Sequence, residues 1–155
     1  MKKAVLQIGT IRQPNNYVCG PATLKLVFDF FGKKISLDEI IFVAKSTFEG
    51  GTSPKNLIKT ARKFGFKTLQ KSNATITDIE KQIEKQFPVI IVYQAWGDGH
   101  YSVIYGFNKT YFFISDPAFE KGYRKIKKEV LVNSWHDFDM HGKPFNQWMM
   151  VIKPI

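Results

Sequence analysis

At 155 residues the chain is long enough for one domain, expected to span 1–155 and to bury roughly two thirds of the surface its unfolded form exposes. A single cysteine, Cys19, excludes an internal disulfide framework and fits a reducing compartment, and no run approaches the roughly 20 apolar residues of a membrane span. The net charge of +10 is spread along the chain, and its densest cluster (Lys121, Arg124, Lys125, Lys127, Lys128) is short, without an RNA-binding or zinc-finger signature, so it reads as solvated basic surface with no nucleic-acid partner.

The opening MKKAVLQIGTIRQP holds too few consecutive apolar residues for a signal peptide, which makes a cytoplasmic protein the expectation. Residues 3–8 (KAVLQI) predict a short strand running into a polar loop that contains Gln13, Asn15, Asn16 and Tyr17. Cys19-Gly20-Pro21 follows. Leu24, Val27, Phe28 and Phe31 then recur at i, i+3, i+4 and i+7, which predicts a helix with one buried face, ended by Gly32. Proline is tolerated in a first turn, so Cys19 falls at or just before the helix N-terminus, where amides and macrodipole favour a thiolate.

Ser36 and Glu39 have the spacing of a capping box, and Leu37, Ile40, Ile41 and Ala44 mark a second buried helix face. Gly50-Gly51-Thr52 predicts a turn, and Ser53-Pro54 opens a third helix with Leu57, Ile58, Ala61 and Phe64 inward and Gly65 closing it. Residues 66–70 predict a strand. Thr77 and Glu80 form a second capping-box pattern ahead of a helix carrying Ile79, Ile83 and Phe87, which Pro88 ends.

From Val89 to Tyr93 the run is apolar and β-branched, as expected of a strand covered on both faces. Trp96–Gly99 predicts a turn. Tyr101–Phe107 and Tyr111–Ser115 make a hairpin around Asn108-Lys109, followed by a basic strand and a short helix near Val130–Trp135. Residues 147–152 predict a closing strand. Helices first and an antiparallel sheet second give an α+β class.

The hairpin acts as a ruler. If Phe107 and Tyr111 flank its loop, facing residues have numbers summing to 218; if Gly106 and Thr110 do, the sum is 216. Either register puts His100 and Asp116 on one face within side-chain reach, whereas a two-residue loop puts them on opposite faces and a bulge changes the parity. A cysteine, a histidine and an aspartate behind the histidine are the parts of a nucleophile, a base and an orienting group. The imidazole would take the thiol proton, Asp116 would fix the tautomer, and the Gln13 amide with the Cys19 backbone N–H would face the oxyanion of the tetrahedral intermediate. The chemistry is acyl transfer through a thioester, with water as acceptor, or an amine in a transamidase.

Other readings compete. Asp98 lies near His100 but two residues away on one strand, a poorer orienting pair than Asp116. His136, Asp137, Asp139 and His141 could suggest a metal, but their spacing matches no recognised zinc pattern, so a polar loop is expected, with no metal and no cofactor. Trp96 and Tyr101 are expected to line the cleft or the core.

Gln13 six residues before Cys19-Gly20-Pro21-Ala22, then Gly51-Thr52-Ser53, Gly99-His100-Tyr101-Ser102-Val103 with Gly106, and Asp116-Pro117-Ala118 resemble the papain-like cysteine peptidases that cut bacteriocin leaders after a double glycine. Val18 stands where those peptidases usually carry an acidic residue. The resemblance implies a papain-like fold, with Cys19 as nucleophile, His100 as base, Asp116 as its partner and Gln13 as oxyanion donor. It further implies a monomeric single-domain peptidase acting on a peptide or leader segment, with a separate ABC exporter as a candidate partner. The alternative is a catalytically silent papain-like domain that only holds such a peptide.

Overall fold

The computed structural model describes residues 2–155; Met1, counted in the expected 1–155 domain, lies outside the described residues. The elements run β1 (Ala4–Val5), α1 (Cys19–Phe30), α2 (Leu37–Ala44), α3 (Pro54–Lys63), β2 (Phe66–Lys71), α4 (Ile76–Glu84) and β3 (Val89–Ala95). They continue with β4 (Asp98–Phe107), β5 (Tyr111–Ser115), β6 (Tyr123–Lys127), α5 (Lys128–Ser134), β7 (His136–Phe138), β8 (Pro144–Asn146) and β9 (Met149–Pro154). Seven strands form one sheet in the order β2-β9-β3-β4-β5-β6, with β1 added against β4. All its pairings are antiparallel, which is the expected α+β arrangement of a papain-like fold.

The sheet is covered on both faces, and β3 shows why its sequence is continuously apolar. Ile90 and Val92 point into the core made with Leu24, Val27 and Phe28 of α1 and Leu57 and Ala61 of α3. Val89, Ile91 and Tyr93 point the other way, onto Ile79 and Ile83 of α4, Leu131 of α5 and Trp135 just after it. A strand alternates its side chains across the sheet, so a strand with helices on both sides needs apolar residues at every position.

Several boundaries differ from the sequence expectation. The strand expected at 3–8 is reduced to Ala4–Val5, with one further bond from Leu6 N to Tyr105 O at 2.8 Å. Beyond that the chain peels away and is strapped to the far strands instead. The Tyr123 hydroxyl donates to Ile8 O, and the Ser115 hydroxyl donates to Gly9 O at 2.8 Å. The α4 cap lies two residues earlier than Thr77. Thr75 Oγ1 accepts from Asp78 N at 3.1 Å while Asp78 Oδ2 accepts from Thr75 N at 2.9 Å, a reciprocal pair that fixes the helix start. At α2 only the first half of the expected pair forms, Ser36 Oγ accepting from Glu39 N at 3.2 Å.

Strand β4 begins at Asp98 rather than Tyr101, because Trp96 and Gly97 alone make the turn. Both have positive φ (53° and 79°), the two-residue geometry whose twist matches the flanking strands. The segment 136–141, expected as a polar loop, begins with a strand: Asp137 pairs with Phe145 in a two-stranded ribbon whose turn Asp139 closes by accepting from His141 N and Lys143 N, each at 2.9 Å.

Candidate active site

Cys19 is the first residue of α1 and is half-buried, with Val18 capping the helix by backbone alone and no acidic residue in the first turn. The helix start is seated tightly. A Cβ on Gly20 would lie 3.2 Å from Leu57 Cδ1 and 3.2 Å from Thr52 Cβ, so glycine there lets α1 approach α3 and the Gly51–Ser53 turn. Tyr101 is buried on the same side, its hydroxyl donating to Thr52 O at 2.9 Å, which makes it a core residue that ties that turn to the sheet.

His100 is the third residue of β4 and is buried. By alternation it shares a face with Ser102 and Ile104, opposite Tyr101 and Val103, which pack toward α1. Cys19, at the start of α1, is still near enough to be one of the groups that raise the proton affinity of the ring. The ring makes a 2.6 Å hydrogen bond from Nε2 to Asp116 Oδ1. With Nε2 given to the carboxylate, Nδ1 is the nitrogen left for the thiol.

The register that delivers Asp116 has facing residues summing to 218, one of the two expected, but the turn does not set it. Next to the turn, Phe107 faces Phe112 and Gly106 faces Phe113; a bulge at Tyr105 then shifts the pairing, so Ile104 faces Ile114 and Val103 faces Ser115. Near the turn the parity would put His100 and Asp116 on opposite faces; the bulge restores the common face. Gly106 sits at this shift because β1 crosses it closely: an added Cβ would lie 2.9 Å from Ala4 O.

Asp116 has its carboxylate fully enclosed. Oδ1 also accepts from Ala118 N at 3.0 Å, and Oδ2 accepts from Arg124 Nε at 2.8 Å. Burial opposes ionisation, but the His100 bond and charge, the Arg124 bond and the Ala118 amide outweigh it and hold the carboxyl at about 2. Burial likewise opposes the imidazolium of His100, yet the bond to Asp116, the neighbouring Cys19 and the charges on both lift it to about 9. An imidazolium backed by a carboxylate is the state this geometry favours.

Gln13 is held beside these groups by a backbone bond from its N–H to Pro117 O at 2.9 Å. Its Nε2 donates one hydrogen to Asn15 O at 2.8 Å, which fixes the amide's orientation and leaves the second hydrogen for another acceptor; Oε1 is buried without a partner. Asp98 does not reach His100: it is exposed and its Oδ1 accepts from Gly99 N at 2.9 Å. Trp96 is exposed at the tip of the β3–β4 hairpin, its ring 5.5 Å from that of His100. Of the four metal-type residues at 136–141, Asp137 instead accepts from Gln94 Nε2 at 3.1 Å, over Gly99. Among the described residues no three acidic, histidine or cysteine side chains converge as metal ligands do.

Two site neighbours escaped the sequence reading, Arg124 and Tyr93. Arg124 was grouped with the solvated basic cluster, but strand β6 alternates, and Arg124 shares the inward side with Ile126 while Lys125 and Lys127 face water. That alternation was the available signal. Tyr93 looked like one more core aromatic; its hydroxyl accepts a hydrogen bond from Arg124 and lies 3.3 Å from Ser102 Oγ.

Residues 7–143 match the peptidase C39 family. The chain belongs to that family. It is accordingly a cysteine-type peptidase domain. Among similar proteins, the lactococcin transport/processing ATP-binding protein LcnC-like of Lactococcus lactis is 29% identical over 127 residues, 81% of this chain and 17% of its own length. The transport/processing ATP-binding protein ComA of Streptococcus pneumoniae is 30% identical over 119 residues, 76% of this chain and 16% of its own length. The chain thus spans about a sixth of the relatives it matches.

Two solved structures extend the likeness over nearly all of the C39 fold. A double glycine motif protease from an AMS/PCAT transporter, crystallised with its leader peptide, superposes with a TM-score of 0.74 at 25% identity, covering 98% of this chain and 95% of that one. A C39-like peptidase from Bacillus anthracis gives 0.78 at 15% identity, covering 99% and 98%.

Proposed function

We propose that the chain cleaves a peptide bond through a Cys19–His100–Asp116 triad and a thioester intermediate, its whole length acting as one catalytic unit. The observation that carries this reading is the 2.6 Å bond from His100 Nε2 to Asp116 Oδ1, with Cys19 among the groups that raise the proton affinity of the same ring. Asp116 keeps the proton on Nε2, so Nδ1 accepts the thiol proton and the thiolate attacks the scissile carbonyl carbon. The second N–H of Gln13 Nε2 and the backbone N–H of Cys19 face the oxygen that becomes negative in the tetrahedral intermediate. Nδ1–H then protonates the leaving amine as the C–N bond breaks, giving the thioester. Water, deprotonated by Nδ1, attacks that thioester and releases the carboxylic acid and the thiol.

The substrate is a peptide carrying a leader segment, cut after two small residues; a double glycine motif protease whose fold this chain shares was crystallised with its leader peptide. The transport/processing relatives join this activity to an exporter, so a separate ABC exporter is the proposed partner. No described helix is long and apolar enough to cross a membrane; the proposed setting is a monomer in the cytoplasm beside such an exporter.

The experiment incubates the purified chain and its Cys19→Ala form with synthetic leader peptides bearing Gly-Gly before the cut, and reads products by mass. Cleavage by the parent chain, unaffected by EDTA and lost in Cys19→Ala, is expected. Cleavage by Cys19→Ala at the parent rate would end the reading, as would alkylation of Cys19 below pH 7 no faster than that of free cysteine.

A further inference from the structure

We propose that Arg124 is a positioning residue of this site, which holds the second oxygen of Asp116 so that the carboxylate stays ionised and in the plane the imidazole needs. The proposal rests on the triad reading above and adds a residue to it.

His100 and the Ala118 amide engage only Oδ1 of Asp116. Oδ2 is equally buried, since the side chain is 0% exposed, and an unpaired buried carboxylate oxygen strongly favours taking up a proton. Arg124 Nε supplies the missing donor at 2.8 Å from β6, the strand beyond β5. The guanidinium is itself fixed from two further directions. A terminal nitrogen donates to the Tyr93 hydroxyl on β3, and the guanidinium carbon lies 5.6 Å from the centroid of the Tyr93 ring and 5.3 Å from that of Trp96. A planar, permanently charged fork is the group that can bond Oδ2 and the phenol together; an ammonium reaches one at a time. Burial, against the pull of Arg124, keeps Tyr93 protonated to about 12, so it serves as an anchor and not as a second base.

The other ionisable groups around Asp116 are His100 on β4 with Cys19 behind it on α1, Tyr93 on β3 and Tyr123 next to Arg124 on β6. Asp98 on β4 faces solvent, Asp137 on β7 accepts from Gln94 over Gly99, and the His136 ring lies against that of Phe138. Among the described residues Arg124 and His100 are the cationic groups paired with Asp116, so losing Arg124 acts on Asp116 directly.

The test compares the pH dependence of peptide cleavage in the parent chain, Arg124→Met and Arg124→Lys, with folding checked by circular dichroism. In Arg124→Met the acid limb of kcat/KM moves up by about one pH unit, and kcat at pH 6 falls about tenfold with KM within twofold. Arg124→Lys keeps a cation on Oδ2 and folds; it returns the acid limb to within a few tenths of the parent value while kcat stays about threefold low, because the second anchor is missing. A folded Arg124→Met with the parent acid limb overturns the proposal, as does a loss confined to KM. If Arg124→Met fails to fold, Arg124→Lys decides: a parent-like kcat overturns the orienting role, and the threefold deficit supports it. Cleavage that survives His100→Ala and Asp116→Ala would bring down the triad reading itself. Dead triad variants beside a parent-like Arg124→Met bring down only the role of Arg124.

Discussion

Replacing Asp116 with asparagine probes the site most directly, because it keeps the side-chain shape and removes only the charge. An asparagine amide has one acceptor and one donor where the carboxylate has two acceptors. If its NH2 faces His100, Nε2 must become the acceptor and the ring proton moves to Nδ1, where it blocks transfer from Cys19. If its NH2 faces Arg124, two donors meet in a buried place. The magnitude follows from the histidine. His100 stands at about 9 against an ordinary 6.5, with its bond to Asp116 the largest force raising it against burial. At 1.36 kcal/mol per pH unit the difference is about 3 kcal/mol, a factor on the order of a hundred in how strongly the imidazole holds its proton. Asp116→Asn is therefore expected to lose about a hundredfold in kcat at pH 7, and alkylation of Cys19 by iodoacetamide at pH 5.5 to 6.5 should fall to the rate of an ordinary thiol. Stability should fall too, by about 2 to 3 kcal/mol, because Arg124 loses its buried counter-charge but keeps some contact with water. A folded Asp116→Asn whose alkylation profile and turnover overlay those of the parent chain would refute the argument.

The same two groups give stability a pH signature. Asp116 is depressed to about 2, so its contribution is complete above pH 3.8 and lost as pH falls toward 2; His100 is raised to about 9, so its contribution is complete below pH 6.5 and lost as pH rises toward 9. The urea midpoint should form a plateau between about pH 4 and 6.5 with a fall on either side, and a midpoint still rising from pH 7 to 9 would contradict the assignment. Gly106→Ala drives a methyl to 2.9 Å from Ala4 O and should cost about 1–3 kcal/mol, read as a lower thermal midpoint; an unchanged midpoint would mean β1 does not press on the bulge. Thr75→Ala removes a reciprocal cap and should cost about 1 kcal/mol, a fall of about 2–4 °C, whereas Thr77→Ala should cost less; equal losses would place the cap elsewhere.

What the residues determined alone was everything decided within a few positions of the chain. Cys19 had to fall at a helix start because Gly20-Pro21 precedes a 3.6-period apolar stripe, and Val89–Tyr93 had to be doubly covered because it has no polar position to turn outward. Local pattern misplaced the α4 cap, where neighbours compete: Thr75 and Thr77 offer rival caps of the same type, and the winner is the one whose partner, Asp78, can reach back.

The site itself needed the tertiary structure. The hairpin arithmetic allowed both parities, and the outcome was set by a bulge at Tyr105, where β1 lies across Gly106. Gln13 reaches the site because residues 8–13 are strapped to Tyr123, Ser115 and Pro117, contacts more than a hundred positions apart along the chain. Arg124 reads as one basic residue among many until β6 is laid beside β5 and its side chain turns inward onto Asp116. A sequence records which groups are present and their local periodicity; which distant groups share a buried volume depends on strand register and packing, and those are settled only when the whole sheet closes.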